Sequence, residues 1–511
     1  MKHRGLYITL FALTVLLLAF PAVQQHAKLF KFWPLRGATV TTEQPRFTLK
    51  SFMDGSFQAQ EDRYLSDHIG FREPFVRCYN QLCWSLFRKT QNKTVYVGKD
   101  NWLFNDYTIK HHYGQSVYDF GESNEAVVEK MRASSLMLYQ LQEVLKSYGV
   151  SFFVCLAPGK DMVCEEYVPD VKFNRPPGVL AISYFPPVFD SLGINYLNLS
   201  EYYMQIRDTV SYPLYLKSSS HWSNQAAAYV ADTLLHYMED LSGLNIHDLR
   251  YSKPYLAPTR TPDADLEDVL NLLRPIENNA NYYTTVTLDD DTTAVKPRWL
   301  VVGDSYYWEF DYNLPMNQLF DSHHYWYYNN TISNDPIHTN VHQVDIVNEL
   351  LSTDIVMLLY SPCNLYDLNR QFLTKALFNF YYEDAVVKAK LEKVKQDIRN
   401  TPDWYARIEQ KAANQGQTVE EALENNAQYL LYSSPGYYFN EFNEAQPASC
   451  RNSRVAKVWS NIQDPKRSQF RREMLKNEEW LNSIKKKAET SHISIDEAIE
   501  RDLDWIFRPS I

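Results

Sequence analysis

The feature that most constrains the fold is a short, almost wholly apolar segment, Ser151-Phe152-Phe153-Val154-Cys155-Leu156. Such a segment is typical of a parallel β-strand that helices cover on both faces. A helical apolar pattern over residues 124–148 precedes it, and Gly149 stands where a C-terminal cap belongs. Further strands are predicted at 194–199, 298–302 and 354–360, and further helices at 224–241 and about 341–351. This alternation predicts a doubly wound, mostly parallel α/β sheet.

The N-terminus predicts a membrane anchor. Lys2 and Arg4 precede an uncharged run over residues 6–23, which as a helix is about 27 Å long and just spans a thin bilayer. No good pair of small residues follows Ala19, so an uncleaved signal anchor is favoured over a cleaved signal peptide. Lys2 and Arg4 favour a cytoplasmic N-terminus, although the basic residues after the run oppose it (Lys28, Lys31 and Arg36). We expect a single-pass inner-membrane protein with its bulk facing the periplasm or the cell exterior.

Composition limits the remaining classes of protein. The chain has 511 residues, which predicts two or three domains, and 45% hydrophobic residues, which indicates packed cores. Its net charge of −11 argues against nucleic-acid binding. Six cysteines do not make a disulfide scaffold, though a Cys155–Cys164 bridge stays open. No cysteine and histidine spacing resembles a zinc site, so neither a metal nor a cofactor is predicted.

Four regions follow from these patterns. Residues 1–25 are the anchor, and residues 26–110 hold a polar juxtamembrane segment, a helix at 61–88 that Gly70 is expected to break, and a hairpin around residues 95–104. Residues 111–385 form the α/β domain, and residues 386–511 a helical module.

The helical module contains an internal repeat with an offset of 76 residues, about 398–430 and 474–506. The recurring pairs are Trp404/Trp480, Ile408/Ile484, Lys411/Lys487, Ala412/Ala488, Glu421/Glu497, Ala422/Ala498 and Glu424/Glu500. Matched capping boxes, Thr418-x-x-Glu421 and Ser494-x-x-Glu497, predict a helix–turn–helix in each copy. Its tryptophan and isoleucine positions indicate packing, so the module is expected to dock or pack and not to catalyse.

Two motifs carry the chemistry. Val301-Val302-Gly303-Asp304-Ser305 is an apolar strand that runs into a Gly-Asp-Ser turn, where Gly303 permits a tight turn that exposes the Ser305 hydroxyl. Ligands bind at the carboxyl ends of strands in open α/β sheets, so Ser305 is the predicted nucleophile. His221, in Ser219-Ser220-His221-Trp222 ahead of helix 224–241, is the predicted base. No carboxylate stands at Ser219 to orient it.

Other residues around these motifs are candidate orienting, oxyanion or substrate contacts. Asn364 follows strand 354–360, and Lys160 follows strand 151–156, where an exposed lysine is the more common case. Backbone N–H groups after Gly303 are further oxyanion donors. The complete candidate set is Ser219, Asp304, Tyr306, Asn364, Lys160 and Trp222.

The order of the two motifs resembles the AlgJ/AlgX-type (DHHW-like) family of polysaccharide O-acetyltransferases. These are SGNH hydrolase-like domains in which an Asp-x-His-Trp loop precedes a Gly-x-Ser turn. Matching positions here are Ser219-Ser220-His221-Trp222 and Gly303-Asp304-Ser305, and similarity extends to residues 98–104, to Ala157-Pro158-Gly159-Lys160 and to Asp62, Asp67, His68 and Arg72. The resemblance covers about residues 50–380 and not the repeats.

This resemblance implies an extracytoplasmic acyl transfer. Ser305 would take an acetyl group from a membrane-bound O-acyltransferase partner and pass it to a polysaccharide hydroxyl, with His221 as base. The family's aspartate does not carry over, because Ser219 stands there. Two alternatives stay open. One is a carbohydrate esterase with the same pair, and the other is an inactive glycan-binding or scaffold protein of a polysaccharide export complex.

Overall fold

A computed structural model describes residues 4–37, 42–260, 263–276, 280–381, 384–433, 474, 477–491, 493 and 495–506. Its first helix, α1, spans Arg4–Ala27. The part from Gly5 to Ala27 is long and apolar enough to cross a membrane by length and composition, and a signal sequence passes the same test. Its apolar side chains are exposed, as Phe11 (71%) and Leu17 (76%) illustrate.

Three helices follow, α2 (Leu49–Met53), α3 (Ser56–His68) and α4 (Arg72–Phe87). The predicted helix at 61–88 is therefore two helices, and the first begins inside the segment that was expected to be a polar linker. The break falls at residues 69–71, next to Gly70, where Phe71 adopts a left-handed backbone with φ 68°. The hairpin prediction is confirmed, because β1 (Val95–Val97) pairs antiparallel with β2 (Leu103–Asn105). Helix α5 (Asp106–His112) follows.

The next segment contains the first parallel strands. Its elements are α6 (Asn124–Ser147), β3 (Ser151–Leu156), α7 (Lys160–Val163), α8 (Ala181–Leu192), β4 (Tyr196–Asn198), α9 (Leu199–Ile206) and α10 (Asn224–Ser242). Ser123 and Ser223 cap α6 and α10, since each side-chain oxygen accepts a hydrogen bond from the third backbone N–H of its helix. The structure adds α8 to the predicted elements. Its two prolines, Pro186 and Pro187, hid the helical pattern.

Between the parallel strands β4 and β9 the chain makes a long excursion. It contains two short antiparallel pairs, β5 (Leu249–Tyr251) with β8 (Val286–Leu288) and β6 (Tyr255–Pro258) with β7 (Ala280–Tyr283). The one-turn helix α11 (Asp265–Asp268) lies between β6 and β7. This excursion brings acidic residues to the edge of the main sheet.

The rest of the α/β region follows in sequence. Its elements are β9 (Arg298–Gly303), α12 (Trp308–Asn313), α13 (Met316–Leu319), β10 (Ser322–Tyr327), β11 (Thr331–Ser333), α14 (Ile346–Leu351), β12 (Ile355–Tyr360) and α15 (Phe372–Tyr381). The predicted helix at 341–351 is a 3₁₀ turn at Val341–Gln343 followed by α14. Strands β10 and β11 were not predicted, because His323, His324 and the surrounding tyrosines gave no clear apolar strand pattern.

The main sheet has the order β11-β10-β9-β12-β3-β4, and every neighbouring pair is parallel except β10 with β11. β12 is buried at every position, and β9 lies between β10 and β12 near the centre. One large buried cluster covers each face of the sheet. The prediction of a mostly parallel α/β sheet is confirmed. Cys155 and Cys164 are both free thiols, so the bridge left open in the sequence does not form here.

The C-terminal helices are α16 (Asp384–Arg399), α17 (Pro402–Gln415), α18 (Val419–Ser433), α19 (Glu478–Ser491) and α20 (Ile495–Ile506). Both copies of the repeat are helix pairs, and equivalent residues are buried in each, as Ile408 and Ile484 or Ala412 and Ala488 show. The capping box at Thr418 and Glu421 forms, with both hydrogen bonds present. Its counterpart at Ser494 lies outside the described residues. Apolar residues of α16–α18 join the same buried cluster as one face of the sheet.

Candidate active site

Ser305 lies directly beyond the carboxyl end of β9, at the start of a 3₁₀ turn. The chain needs glycine two residues earlier, because a Cβ on Gly303 would meet the Leu359 carbonyl oxygen of β12 at 2.3 Å. Close packing of two central strands therefore sets where the turn begins. The hydroxyl of Ser305 opens into a cavity of about 580 Å³.

Asp304 is buried beneath the turn, on the side away from the cavity, and stabilises the turn through hydrogen bonds. It is fully buried, and its Oδ2 accepts hydrogen bonds from the Ser361 backbone (2.8 Å), the Ser361 hydroxyl (2.5 Å) and the Asn364 amide (2.7 Å). Its Oδ1 accepts from the Tyr306 N–H (3.2 Å). These bonds fix the ends of β9 and β12 to each other. Because the Tyr306 N–H is engaged here, it is not the oxyanion donor expected from the sequence.

The loop that carries His221, residues 216–222, is called the histidine loop, and contacts hold it on both sides. Trp222 is fully buried, forms a β-bridge with Tyr215, and packs edge-on against Tyr306 and Phe310, so it supports the loop and cannot touch a substrate. His221, one residue earlier, projects over the sheet edge. Its Nε2 lies 2.7 Å from the Ser305 Oγ, the distance of a hydrogen bond between a nucleophile and its base.

Ser219 does not replace the missing carboxylate. Its hydroxyl is fully buried and accepts a hydrogen bond from the His221 backbone N–H at 3.1 Å. It therefore shapes the loop backbone. The His221 Nδ1, the ring atom that a carboxylate would orient, instead lies 3.3 Å from the Ser220 Oγ and 3.5 Å from Oδ2 of Asp265.

Asp265 reaches this position because α11 docks onto the histidine loop. The Ser218 carbonyl accepts the backbone N–H groups of Leu266 (3.1 Å) and Glu267 (3.2 Å). The Asp265 carboxylate accepts the Ser220 backbone N–H at 2.8 Å and also the Ser220 hydroxyl. Sequence reasoning missed this residue. It lies 44 positions beyond His221, in an acidic stretch without a motif, and only the fold brings the two together.

A second carboxyl group, that of Glu309, lies 3.8 Å from the His221 Nδ1. It is fully buried, and burial raises its pKa well above the usual range. A buried carboxyl that stays protonated brings no charge to the imidazole. Asp265, whose side chain is 27% exposed, is therefore the better placed of the two to balance an imidazolium.

Lys160 is not the exposed lysine expected from the sequence. It is 1% exposed, and its Nζ lies within hydrogen-bond distance of four carbonyl oxygens, those of Leu103 (2.7 Å), Leu216 (2.8 Å), Lys217 (3.2 Å) and Ser219 (2.5 Å). Burial lowers its pKa to about 7, while the four carbonyl dipoles favour the ammonium form. Lys160 ties the histidine loop to the β1–β2 hairpin, although its stem also borders the cavity.

Of the remaining candidates, Tyr306 and Asn364 both line the cavity with Ser305 and His221. The Tyr306 hydroxyl donates to the Ser220 carbonyl at 3.2 Å, and its ring packs edge-on against the imidazole. Asn364 is anchored by Asp304 at the cavity wall. The structure also adds Tyr328 and Arg370, which the sequence had not singled out, to this wall.

Among the described residues, one group brings three ligand-type atoms within 4.8 Å of one another, namely His236, Glu239 and Asp248. None of the three lines the cavity around Ser305. That the protein needs neither metal nor cofactor stays a prediction.

The mixed, mainly parallel sheet carries a serine and a histidine at its carboxyl edge, which is an α/β arrangement suited to a nucleophile and its base. Residues 95–317 match the family model of the SGNH hydrolase-like domain of the acetyltransferase AlgX, so this part of the chain is similar to that domain. The match ends within α13, before β10, β11, β12 and the C-terminal helices.

Solved structures similar to this chain include the O-acetyltransferase domain of Pseudomonas putida AlgJ, with 16% identity, TM-score 0.38, and coverage of 53% of this chain and 92% of that one. Pseudomonas aeruginosa AlgX has 14% identity and TM-score 0.35, over 54% of this chain and 67% of that one. Bacillus cereus PatB1 with a sulfonyl adduct has 13% identity and TM-score 0.35, over 54% and 99%. No curated protein sequence matches the chain.

Proposed function

We propose that the protein is a membrane-anchored O-acetyltransferase that moves an acetyl group through Ser305 to hydroxyls of an exported or cell-surface polysaccharide. The observation that carries the proposal is the 2.7 Å contact between the His221 Nε2 and the Ser305 Oγ in an open cavity. The match of residues 95–317 to the acetyltransferase family supports the reaction class. Helix α1 supports an extracytoplasmic site, with α1 as the anchor in the inner membrane.

The proposed reaction has two balanced half-reactions. In the first, His221 Nε2 takes the Ser305 proton as Oγ attacks the acetyl carbonyl, and the imidazolium then protonates the departing donor oxygen. In the second, His221 takes the proton of a sugar hydroxyl that attacks the acetyl-serine, and the proton returns to Ser305 as the sugar ester leaves. The donor in this proposal is a membrane-bound O-acyltransferase partner.

Other residues assist these steps in fixed positions. Asp265 lies beside the Nδ1 side of the ring and stabilises the imidazolium that forms in each half-reaction. The Ser305 backbone N–H donates to the developing oxyanion, and Asn364, whose amide is engaged by Asp304 and Ser361, contacts the substrate at the cavity wall. Lys160 and Tyr306 keep the histidine loop in place through its backbone carbonyls.

The test uses the full chain in detergent with 4-nitrophenyl acetate as donor. We expect acetyl-serine on the peptide that contains Ser305, detected by mass spectrometry, and its loss in Ser305→Ala and His221→Ala. Ser183→Ala, an exposed serine of α8, is the matched control. Turnover that survives Ser305→Ala would overturn the proposal. Faster turnover when a glycan acceptor is added separates a transferase from an esterase, and no acetyl-enzyme with any donor would favour a scaffold.

A further inference from the structure

A second, larger cavity adjoins the one that contains Ser305. Its volume is about 1050 Å³, against about 580 Å³ for the first, and the two share Tyr328 and Arg370 as lining residues. It lies between the segment after β10 (residues 328–331) and residues 340–342 on one side and helices α17 and α18 on the other. We call it the α18 groove and define it by residues 328–331, 340–342, 369–371, Gln415, Gln417, Asn425, Asn426 and Tyr429.

The junction of the two cavities is built from strained backbone. Tyr328 and Asn329 both have φ 49°, and across from them Arg370 and Gln371 have φ 34° and 66°. Non-glycine residues adopt this left-handed region rarely, and such strain collects at ligand sites that the surrounding structure holds in place. The Asn329 amide donates to the Arg370 carbonyl at 2.8 Å, which joins the two strained turns. The Arg370 guanidinium lies 4.5 Å from the Tyr328 ring centroid.

The far wall of the groove is fixed to the α/β region. The His342 Nδ1 lies 3.0 Å from Gln428 Oε1, and the Asn379 amide donates to the Tyr432 hydroxyl at 3.1 Å. Leu423, among other apolar residues of α18, belongs to the buried cluster that covers one face of the sheet. Both walls of the groove are therefore anchored in the same hydrophobic core, so the fold itself fixes the shape of the groove.

The lining suits a hydroxyl-rich ligand. Side-chain amides are prominent in it (Asn329, Asn330, Gln415, Gln417, Asn425 and Asn426), and each amide offers both donors and an acceptor. Among the described residues, the amide oxygens of Asn329 and Gln417 are buried without a hydrogen-bond partner. Buried polar atoms are normally paired, so these two amide oxygens are left unsatisfied in the wall of the groove. Tyr429 adds an aromatic face that is 56% exposed.

From this arrangement we propose that the α18 groove binds the acceptor polysaccharide beyond the sugar that is acetylated. Tyr328 and Arg370 form the junction of the two cavities, and the polysaccharide passes over them toward Ser305. The inference rests on the proposed function, and it gives α17 and α18 a direct part in substrate binding. A peptide segment is the rival occupant. The groove favours a glycan because amides and phenols dominate its lining where a peptide groove would offer apolar pockets for anchoring side chains.

The test measures binding without turnover. The full chain carrying Ser305→Ala, in detergent, is applied to an array of bacterial polysaccharides with their oligosaccharide and monosaccharide fragments. We expect a polymer to bind more tightly than its own monosaccharide. Adding Asn425→Ala and Tyr429→Ala should weaken polymer binding about tenfold, because two polar or aromatic contacts are lost. Asn414→Ala, an exposed asparagine of α17 outside the groove, is the matched control and should change nothing.

Several outcomes would overturn the inference. One is that the polymer binds no more tightly than its monosaccharide. Another is that Asn414→Ala weakens polymer binding as much as the double substitution does. A third is that polymer binding is unchanged by the double substitution while the melting temperature is also unchanged. Capture of a peptide from a random-sequence library that the polymer cannot displace would assign the groove to a protein partner. Ester hydrolysis by the chain with an intact Ser305, measured in parallel, tests the proposed function separately. If hydrolysis persists while the polymer preference is absent, only the groove assignment fails.

Discussion

Replacing Asp265 with asparagine tests whether this carboxylate takes the place of the family's aspartate. The Asp265 Oδ2 lies 3.5 Å from the His221 Nδ1, and the two side chains are 27% and 12% exposed. At that distance a unit charge stabilises an imidazolium by about 1 kcal/mol in water and by about 5 kcal/mol at an effective dielectric constant of 20. Partial exposure places the site between these limits, at about 2–3 kcal/mol.

This energy corresponds to a loss of about 30- to 200-fold in the rate of acetyl-enzyme formation. It is smaller than the roughly 10⁴-fold loss that follows removal of the buried aspartate in serine proteases. The assay is the pre-steady-state burst of 4-nitrophenolate with substrate in excess over enzyme, and the melting temperature is measured in the same buffer. The mutation keeps the shape of the side chain, so a structural effect would appear as a lower melting temperature.

Glu309→Gln is the matched control for this prediction. Glu309 lies 3.8 Å from the same ring atom, but burial raises its pKa well above the usual range. A neutral amide then replaces a neutral carboxyl, and the rate should change by less than about threefold. The reasoning is refuted if Glu309→Gln slows the burst as much as Asp265→Asn, or if Asp265→Asn leaves the burst unchanged at an unaltered melting temperature.

Three further predictions concern stability. Asp304→Asn should lower the free energy of unfolding by about 1–3 kcal/mol, as measured by urea unfolding. Both carboxylate oxygens of Asp304 accept hydrogen bonds, and an asparagine offers one acceptor oxygen and turns its NH₂ group toward a donor. Gly303→Ala should cost about 1–3 kcal/mol or prevent folding, since its Cβ would lie 2.3 Å from the Leu359 carbonyl oxygen, and wild-type stability would refute the packing argument. Burial lowers the pKa of Lys160 to about 7, below the 10.5 of a free lysine. The unfolded chain therefore binds more protons between these values, the contribution of Lys160 to stability rises with pH in that window, and Lys160→Met should destabilise the protein more at pH 9 than at pH 6.5.

A local sequence pattern determines the parts of the fold that could be predicted. Strand 151–156 is apolar throughout, and helix 224–241 has a serine cap and an apolar stripe, so both were placed within two residues. Helix α8 contains Pro186 and Pro187, and β10 is built from histidines and aromatic residues. Both form because tertiary burial outweighs weak local preference, and that burial cannot be read from a single segment.

The same distinction explains the candidate site. Ser305 and His221 each lie in a local motif next to a strand or helix, and their proximity followed from the rule that ligands bind at the carboxyl ends of parallel strands. Lys160 was misassigned because nothing near it in sequence reveals the four carbonyl oxygens that surround its ammonium group. Those oxygens come from the β1–β2 hairpin and the histidine loop, 56–59 residues away in sequence.

Ser219 and Asp265 carry this argument one step further. A serine where the family has an aspartate leaves the histidine without a carboxylate neighbour in sequence, which favours loss of catalysis when the motif is read alone. The fold supplies a carboxylate from α11 instead, and Ser220 links it to the loop by donating both its N–H and its hydroxyl. Because α11 provides the carboxylate, residue 219 needs only a small side chain that accepts a hydrogen bond from the His221 N–H. Its backbone carbonyl accepts a hydrogen bond from Lys160. The serine at 219 is therefore compatible with an intact charge arrangement around His221, and the departure from the motif is no argument for an inactive scaffold.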